Sequence, residues 1–290
     1  MIVTVTLDLS LEVRYQADRL EIGSVTRVGA VRQRAGGRGL AVARMLATFG
    51  HEVVAAGLVG GSAGDAIKAD LARAGVPTAF TRIGAESRRV VQVASSSDGQ
   101  VTTFEEPAPY ITTEELGRLA TDYRHLLDGA TAVVLCGGLP DGLPAETYGS
   151  LTSYAAAAAV PVVLDAGGSA LRYGMARGPA LVIPDLAVGE PEPAWPGRGS
   201  LVLVAGRAVR VLTAAGQWCA DTGSPLTPAP AGAFREALVA GFVPGAVLGW
   251  SWPDMLRHAV ALAGSVTDDG LDLTSYEALL PAVRVRARGR

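Results

Sequence analysis

The residues with the most chemical reach stand together at 228–242, PAPAGAFREALVAGF. Leu238 to Phe242 are small or apolar, and the run reads as a helix that packs closely on a sheet. Its first turn carries Arg235 and Glu236 behind Phe234. A helix start offers unpaired N–H groups and the positive end of the dipole, so it suits an anion when the residues there leave room for one. Glycines would leave that room; Phe234 and Arg235 fill it. Two readings stand side by side. Either Arg235 clamps an anion, or Arg235 and Glu236 decorate a first helical turn.

Other reactive side chains carry less. His51, His125 and His258 sit in no metal-ligand spacing. Cys136 and Cys219 offer neither a disulfide framework nor a metal pattern, and Cys136 closes an apolar stretch as a small core residue does. No metal site is expected from them. Gly36-Gly37-x-Gly39 is not a dinucleotide fingerprint, because it follows a strand that is wet on one face.

These residues must be positioned by a regular scaffold. Residues 2–7 read as a buried strand, 52–59 as another, and 131–137, 160–168 and 180–185 as further strands. Helical patterns lie between them, from AGGRGLAVARMLATFG, AGDAIKADLARAG, a Thr112–Glu115 capping box running to about Leu127, AETYGSLTSYAAAAA and SALRYGMA. Strand and helix in alternation predict a parallel sheet covered by helices. The stretches at 11–34 and 88–106 alternate apolar with polar, and Asp98-Gly99 marks a tight hairpin in the second. They are expected to form a small sheet projecting from one edge. After Asp185 the rhythm breaks in LAVGEPEPAWPGRGS, strand-like pieces follow, and helical segments at 236–248, 253–265 and 274–280 close the chain. The expected organisation is one α/β domain over 1–290 with an inserted lid.

Composition fits that outline. The chain has 290 residues, 49% hydrophobic and 18% charged, with a formal net charge of −3, which excludes disorder and argues against nucleic acid as partner. The basic tail RVRARGR reads as a solvated end. No apolar run approaches the roughly 20 residues of a membrane helix, and no basic n-region opens the chain, so a cytoplasmic protein is expected.

Five stretches, in order, resemble the PfkB-type (ribokinase-like) carbohydrate kinases, most closely the 1-phosphofructokinase branch. VTLDLSLE resembles Thr-Leu-Asn-Pro-Ala-Leu-Asp, and AGGRGLAVAR resembles Pro-Gly-Gly-Lys-Gly-Ile-Asn-Val-Ala-Arg. VVLCGGLPDGLP resembles Val-Val-Leu-Ser-Gly-Ser-Leu-Pro-Pro-Gly-Leu-Pro, and VPVVLDAGGSALR the Leu-Asp-Thr-Ser-Gly strand and turn. EALVAGF resembles the helix after Gly-Ala-Gly-Asp. The resemblance implies a three-layer α/β/α sandwich, ATP and Mg²⁺ as cofactors, and a sugar or sugar phosphate as substrate.

It also implies roles. Glu236 stands where the family's catalytic base stands, one methylene longer, while Ala233, Phe234 and Arg235 replace the glycine-rich anion hole. On the sugar side, Glu12 aligns with a substrate-binding Asp, Gly36 and Gly37 with the double glycine, Arg38 with a lysine, and Arg88 with an arginine for the substrate's own phosphate. Ala41 and Val90 replace asparagines. On the nucleotide side, Asp185, Gly206 and Arg235 are the remaining candidates, with Val188 in an acidic position and the helix after Asp185 missing. The implied kinase therefore has weak or lost phosphoryl transfer, with a catalytically inactive sugar-phosphate-binding or partner-binding protein as the alternative. A homodimer through the lid is expected, because half-wet strands leave an apolar face to cover.

Overall fold

Strand β1 (Ile2–Thr6) is buried at every position, as a strand covered on both faces must be. It leads into β2 (Ser10–Ala17), which pairs antiparallel with β3 (Ala30–Gly36). Then come α1 (Arg38–Thr48), β4 (Val53–Val59), α2 (Gly61–Arg73) and β5 (Thr78–Arg82). β6 (Arg88–Ser95) and β7 (Val101–Glu105) form the expected hairpin, with Gly99 at φ 70°. The Thr112–Glu115 capping box is made in full and opens α3 (Thr113–Leu127). β8 (Ala132–Cys136), α4 (Thr147–Ala157), β9 (Val162–Asp165), α5 (Gly168–Met175) and β10 (Leu181–Val182) complete the alternating part. β11 (Ser200–Ala205), β12 (Ala208–Thr213) and β13 (Gly216–Asp221) run antiparallel to one another. The chain ends with α6 (Ala233–Leu248), α7 (Trp252–Gly264), the short pair β14 (Val266–Thr267) and β15 (Gly270–Leu271), α8 (Leu273–Leu279) and β16 (Arg284–Arg288). This computed structural model describes residues 1–186, 190–194, 198–205, 208–221, 233–267 and 270–288.

The main sheet has the order β16-β13-β12-β11-β10-β9-β8-β1-β4-β5, parallel from β11 through β5 and antiparallel at the other end. One core layer joins the sheet to α1, α2, α6 and α7 through Leu40, Ile67, Phe242 and Leu256. The opposite layer joins it to α3, α4 and α5 through Tyr123, Tyr148, Leu151 and Leu171. This is the expected three-layer sandwich. The lid is a separate sheet, β3-β2-β6-β7, with β2 and β6 parallel. No helix among the described residues is long and apolar enough to cross a membrane.

Three points differ from the sequence reading. The basic tail is not simply a solvated end: Arg284–Arg288 forms β16, antiparallel to β13. Alternation explains it, since Val285 packs against the core while Arg284 and Arg286 stay exposed. β5, passed over because its residues are mixed, extends the parallel edge beside β4. The lid is also less bare than expected. Leu11, Val13 and Ala35 are buried in the chain's own core, while Ile22, Val25, Val31 and Phe104 remain exposed.

Candidate functional site

The carboxyl ends of parallel strands are where an open α/β sheet builds its crevice. Asp165 is the last residue of β9, Cys136 the last of β8, and Asp185 bridges to Gly167 just beyond β9 and β10. The first turns of α1 and α6 bring Arg38 and Arg235 to the same place.

Arg235 is paired within the chain. Its Nε donates to Asp165 Oδ1 at 2.6 Å and its Nη2 to the Ile183 carbonyl at 2.5 Å. Arg38 Nη2 lies 2.6 Å from Asp185 Oδ2, and its Nη1 3.6 Å from Asp165 Oδ1. Asp165 is fully buried, and its Oδ2 has no hydrogen-bond partner among the described residues. Burial pushes its carboxyl upward, against the pull of Arg235 and Arg38. Phe234 does not share the arginine's position. It is partly buried and packs against the hydrophobic core layer.

Glu236 is buried beside this cluster, and its Oε2 also lacks a partner among the described residues. Burial, with Asp165 adding to it, raises its carboxyl to about 7. A carboxyl that half-ionises near neutrality is poised to exchange a proton.

On the lid side, Arg88 grips Asp8 with two bonds, Nε to Oδ1 at 2.8 Å and Nη2 to Oδ2 at 3.0 Å. Glu12 lies over the double glycine: a Cβ on Gly36 would stand 2.5 Å from Glu12 Oε1. Burial raises the Glu12 carboxyl, with Arg34, Arg44 and Arg88 drawing it back. Gly37 caps α1 at φ 130°, and a Cβ there would meet Thr6 Cγ2 at 2.9 Å. The two glycines thus admit the chain's own β1–β2 segment at close range.

The structure therefore brings Glu12, Gly36, Gly37 and Arg88 to the lid side, and Arg38, Asp185, Arg235 and Glu236 to the sheet ends. Gly206 and Val188 lie outside the described residues. Among 190–194, which are described, no residue is helical. Two residues that sequence reasoning passed over are central. Asp165 had a signal, a carboxylate ending the apolar strand Val162-Val163-Leu164. Asp8 had one too, its place in VTLDLSLE opposite the asparagine of Thr-Leu-Asn. His258 is buried among Phe49, Trp250 and Tyr276, with Nδ1 2.6 Å from the Tyr276 hydroxyl. Among the described residues no three His, Cys, Asp or Glu side chains are grouped to hold a metal ion.

Comparison with known proteins bears on this architecture. The family described as pfkB family carbohydrate kinase matches residues 5–186, from β1 through the Asp185 bridge. The chain belongs to that family. Solved structures agree on the fold of this pfkB-family chain. A possible 1-phosphofructokinase from Thermotoga maritima is 19% identical, with a TM-score of 0.85 and 99% of each chain covered. A putative phosphofructokinase from Staphylococcus aureus is 21% identical, with a TM-score of 0.84, over 100% of this chain and 99% of that one. Phosphofructokinase-2 from Escherichia coli in complex with fructose-6-phosphate is 21% identical, with a TM-score of 0.79, over 97% and 98%.

Proposed function

We propose that this pfkB-family chain keeps a carbohydrate pocket of the 1-phosphofructokinase type between the lid and the sheet ends, and that its phosphoryl transfer is weak or lost. Glu12, Gly36, Gly37, Arg38 and Arg88 border the sugar side; Glu236 holds the place of the base. The observation that carries this reading is the Arg235 guanidinium, hydrogen-bonded to buried Asp165 and to the Ile183 carbonyl at the head of α6.

The family generally uses ATP and Mg²⁺. The residues at this end of the crevice do not suit them. An anion entering at the head of α6 would compete with Asp165 for Arg235, and Asp185 is held by Arg38 instead of being free for a cation. The same observation favours the second reading, a non-catalytic descendant that binds a carbohydrate or a protein partner. A cytoplasmic homodimer joined through the lids belongs to either reading.

The test is turnover. With ATP, Mg²⁺ and fructose 1-phosphate, fructose 6-phosphate, tagatose 6-phosphate or the unphosphorylated sugars, ADP release should fall far below the ~1–10³ s⁻¹ of ordinary enzymes. Release within that range, abolished by Glu236→Gln, would overturn the proposal.

A further inference from the structure

The arginines around the pocket are already answered by carboxylates of the same chain. Arg88 holds Asp8 with two parallel bonds. Arg38 holds Asp185, and Arg235 holds Asp165. Arg44 pairs with Asp70, and Arg34 stands opposite Glu12 across the β2–β3 ladder. Among the described residues, five cations thus meet five acids, with Glu236 as a further buried carboxyl.

A phosphate monoester would bring about two negative charges into this balance. To be gripped by the bidentate Nε–Nη2 edge of Arg88 it must displace Asp8, and to take the same edge of Arg235 it must strip the partner from a carboxylate with 0% exposure. Leaving a buried charge uncompensated costs more than the new contact returns. An uncharged polyol meets no such opposition, because each hydroxyl both donates and accepts.

We propose that the pocket of this chain takes an uncharged sugar or polyol and discriminates against its phosphorylated form, because the chain's own carboxylates already occupy the arginines that would hold a phosphate. This rests on the reading that the pocket binds a carbohydrate at all. Asp8 is the pivot of the discrimination. Removing its charge while keeping its shape takes the bidentate carboxylate from Arg88, the lid cation with the geometry for bidentate phosphate recognition, and leaves it, among the described residues, only Glu105 at 3.8 Å.

Matched pairs decide it: fructose with fructose 1-phosphate, tagatose with tagatose 6-phosphate, ribose with ribose 5-phosphate, each titrated calorimetrically into the full chain and into Asp8→Asn. In the unmodified chain the neutral member of a pair should bind more tightly. In Asp8→Asn the phosphorylated member should gain roughly tenfold in affinity, with no comparable gain for the neutral one. Tighter binding of the phosphorylated member by the unmodified chain overturns the inference, and that measurement needs no variant to fold. An affinity ratio unchanged by Asp8→Asn also overturns it. Failure of both members of all pairs to bind either protein would instead remove the carbohydrate reading on which it rests.

Discussion

Among single residues, the head of α6 is governed by burial. Arg235 reads in the sequence as a surface decoration or an anion clamp; in the fold it is the counter-ion of a carboxylate with no exposure. Glu236, the next residue, has its carboxyl raised to about 7 by burial first and by Asp165 after it. That shift has a sign. Between its ordinary value of 4.5 and about 7, the folded chain keeps a proton that the unfolded chain has released, so stability falls as pH rises through this window and levels off above it. His258 works in the opposite direction: burial lowers it from 6.5 to about 4, so its contribution grows as pH rises across that range. The two oppose each other in wild type, and Glu236→Gln removes one of them. Urea unfolding should therefore show the variant gaining on wild type by about 2–3 kcal/mol between roughly pH 5 and pH 8. A stability difference that does not move with pH would refute the burial of an ionising Glu236.

Among the elements, α6 is held against the sheet by its contact with α7. Gly241 lets the two helices approach so closely that a Cβ there would stand 2.4 Å from Ala259 Cα and 3.0 Å from its Cβ. Backbone cannot swing aside as the end of a side chain can. Gly241→Ala should cost about 1–3 kcal/mol by forcing α6 and α7 apart. Gly117 is the control. It sits exposed inside α3, and a Cβ added to it would meet nothing within 4 Å, so Gly117→Ala should stabilise by about 0.5–1 kcal/mol through helix propensity. Thermal unfolding of both variants checks the pair; equal effects at the two positions would mean that propensity, not packing, rules α6. The lid strands show the same dependence on packing. Alternation in β2 reveals which residues share a face, and the burial of Leu11 and Val13 shows that the chain covers that face itself.

In the molecule as a whole, the lid carries a set of uncovered apolar side chains. Ile22 and Val25 are almost fully exposed, at 102% and 93%, and Val31 and Phe104 join them at 54% and 57%. Scattered apolar side chains need no explanation, but four in the lid, Val31 and Phe104 on its strands and Ile22 and Val25 in the loop between β2 and β3, offer an interaction surface. A second copy meeting it lid to lid would cover both sets at once, as a two-fold interface requires. Light scattering at micromolar concentration should give about twice the 29.7 kDa of one chain, and Val25→Asp with Phe104→Asp should return it to one. A monomer before substitution would dismiss the lid dimer.

The alternation of strands and helices apart from β5 and β16, the capped start of α3, the lid hairpin and the likeness of five stretches to one kinase family are all legible in the amino-acid sequence. These are local properties: period, turn chemistry and caps are written in residues a few positions apart. Most of the residues that border the crevice can be named from it as well. Whom they face cannot. Arg88 meets Asp8 across 80 positions, and Arg235 meets Asp165 across 70. No periodicity encodes such a pairing, because it exists only once parallel strands and the helices that follow them have brought distant ends together at one edge of the sheet. That the arginines of this pocket are already spoken for emerges with the folded chain. The physical reason is that a charge carried out of water must find its counter-charge within the fold.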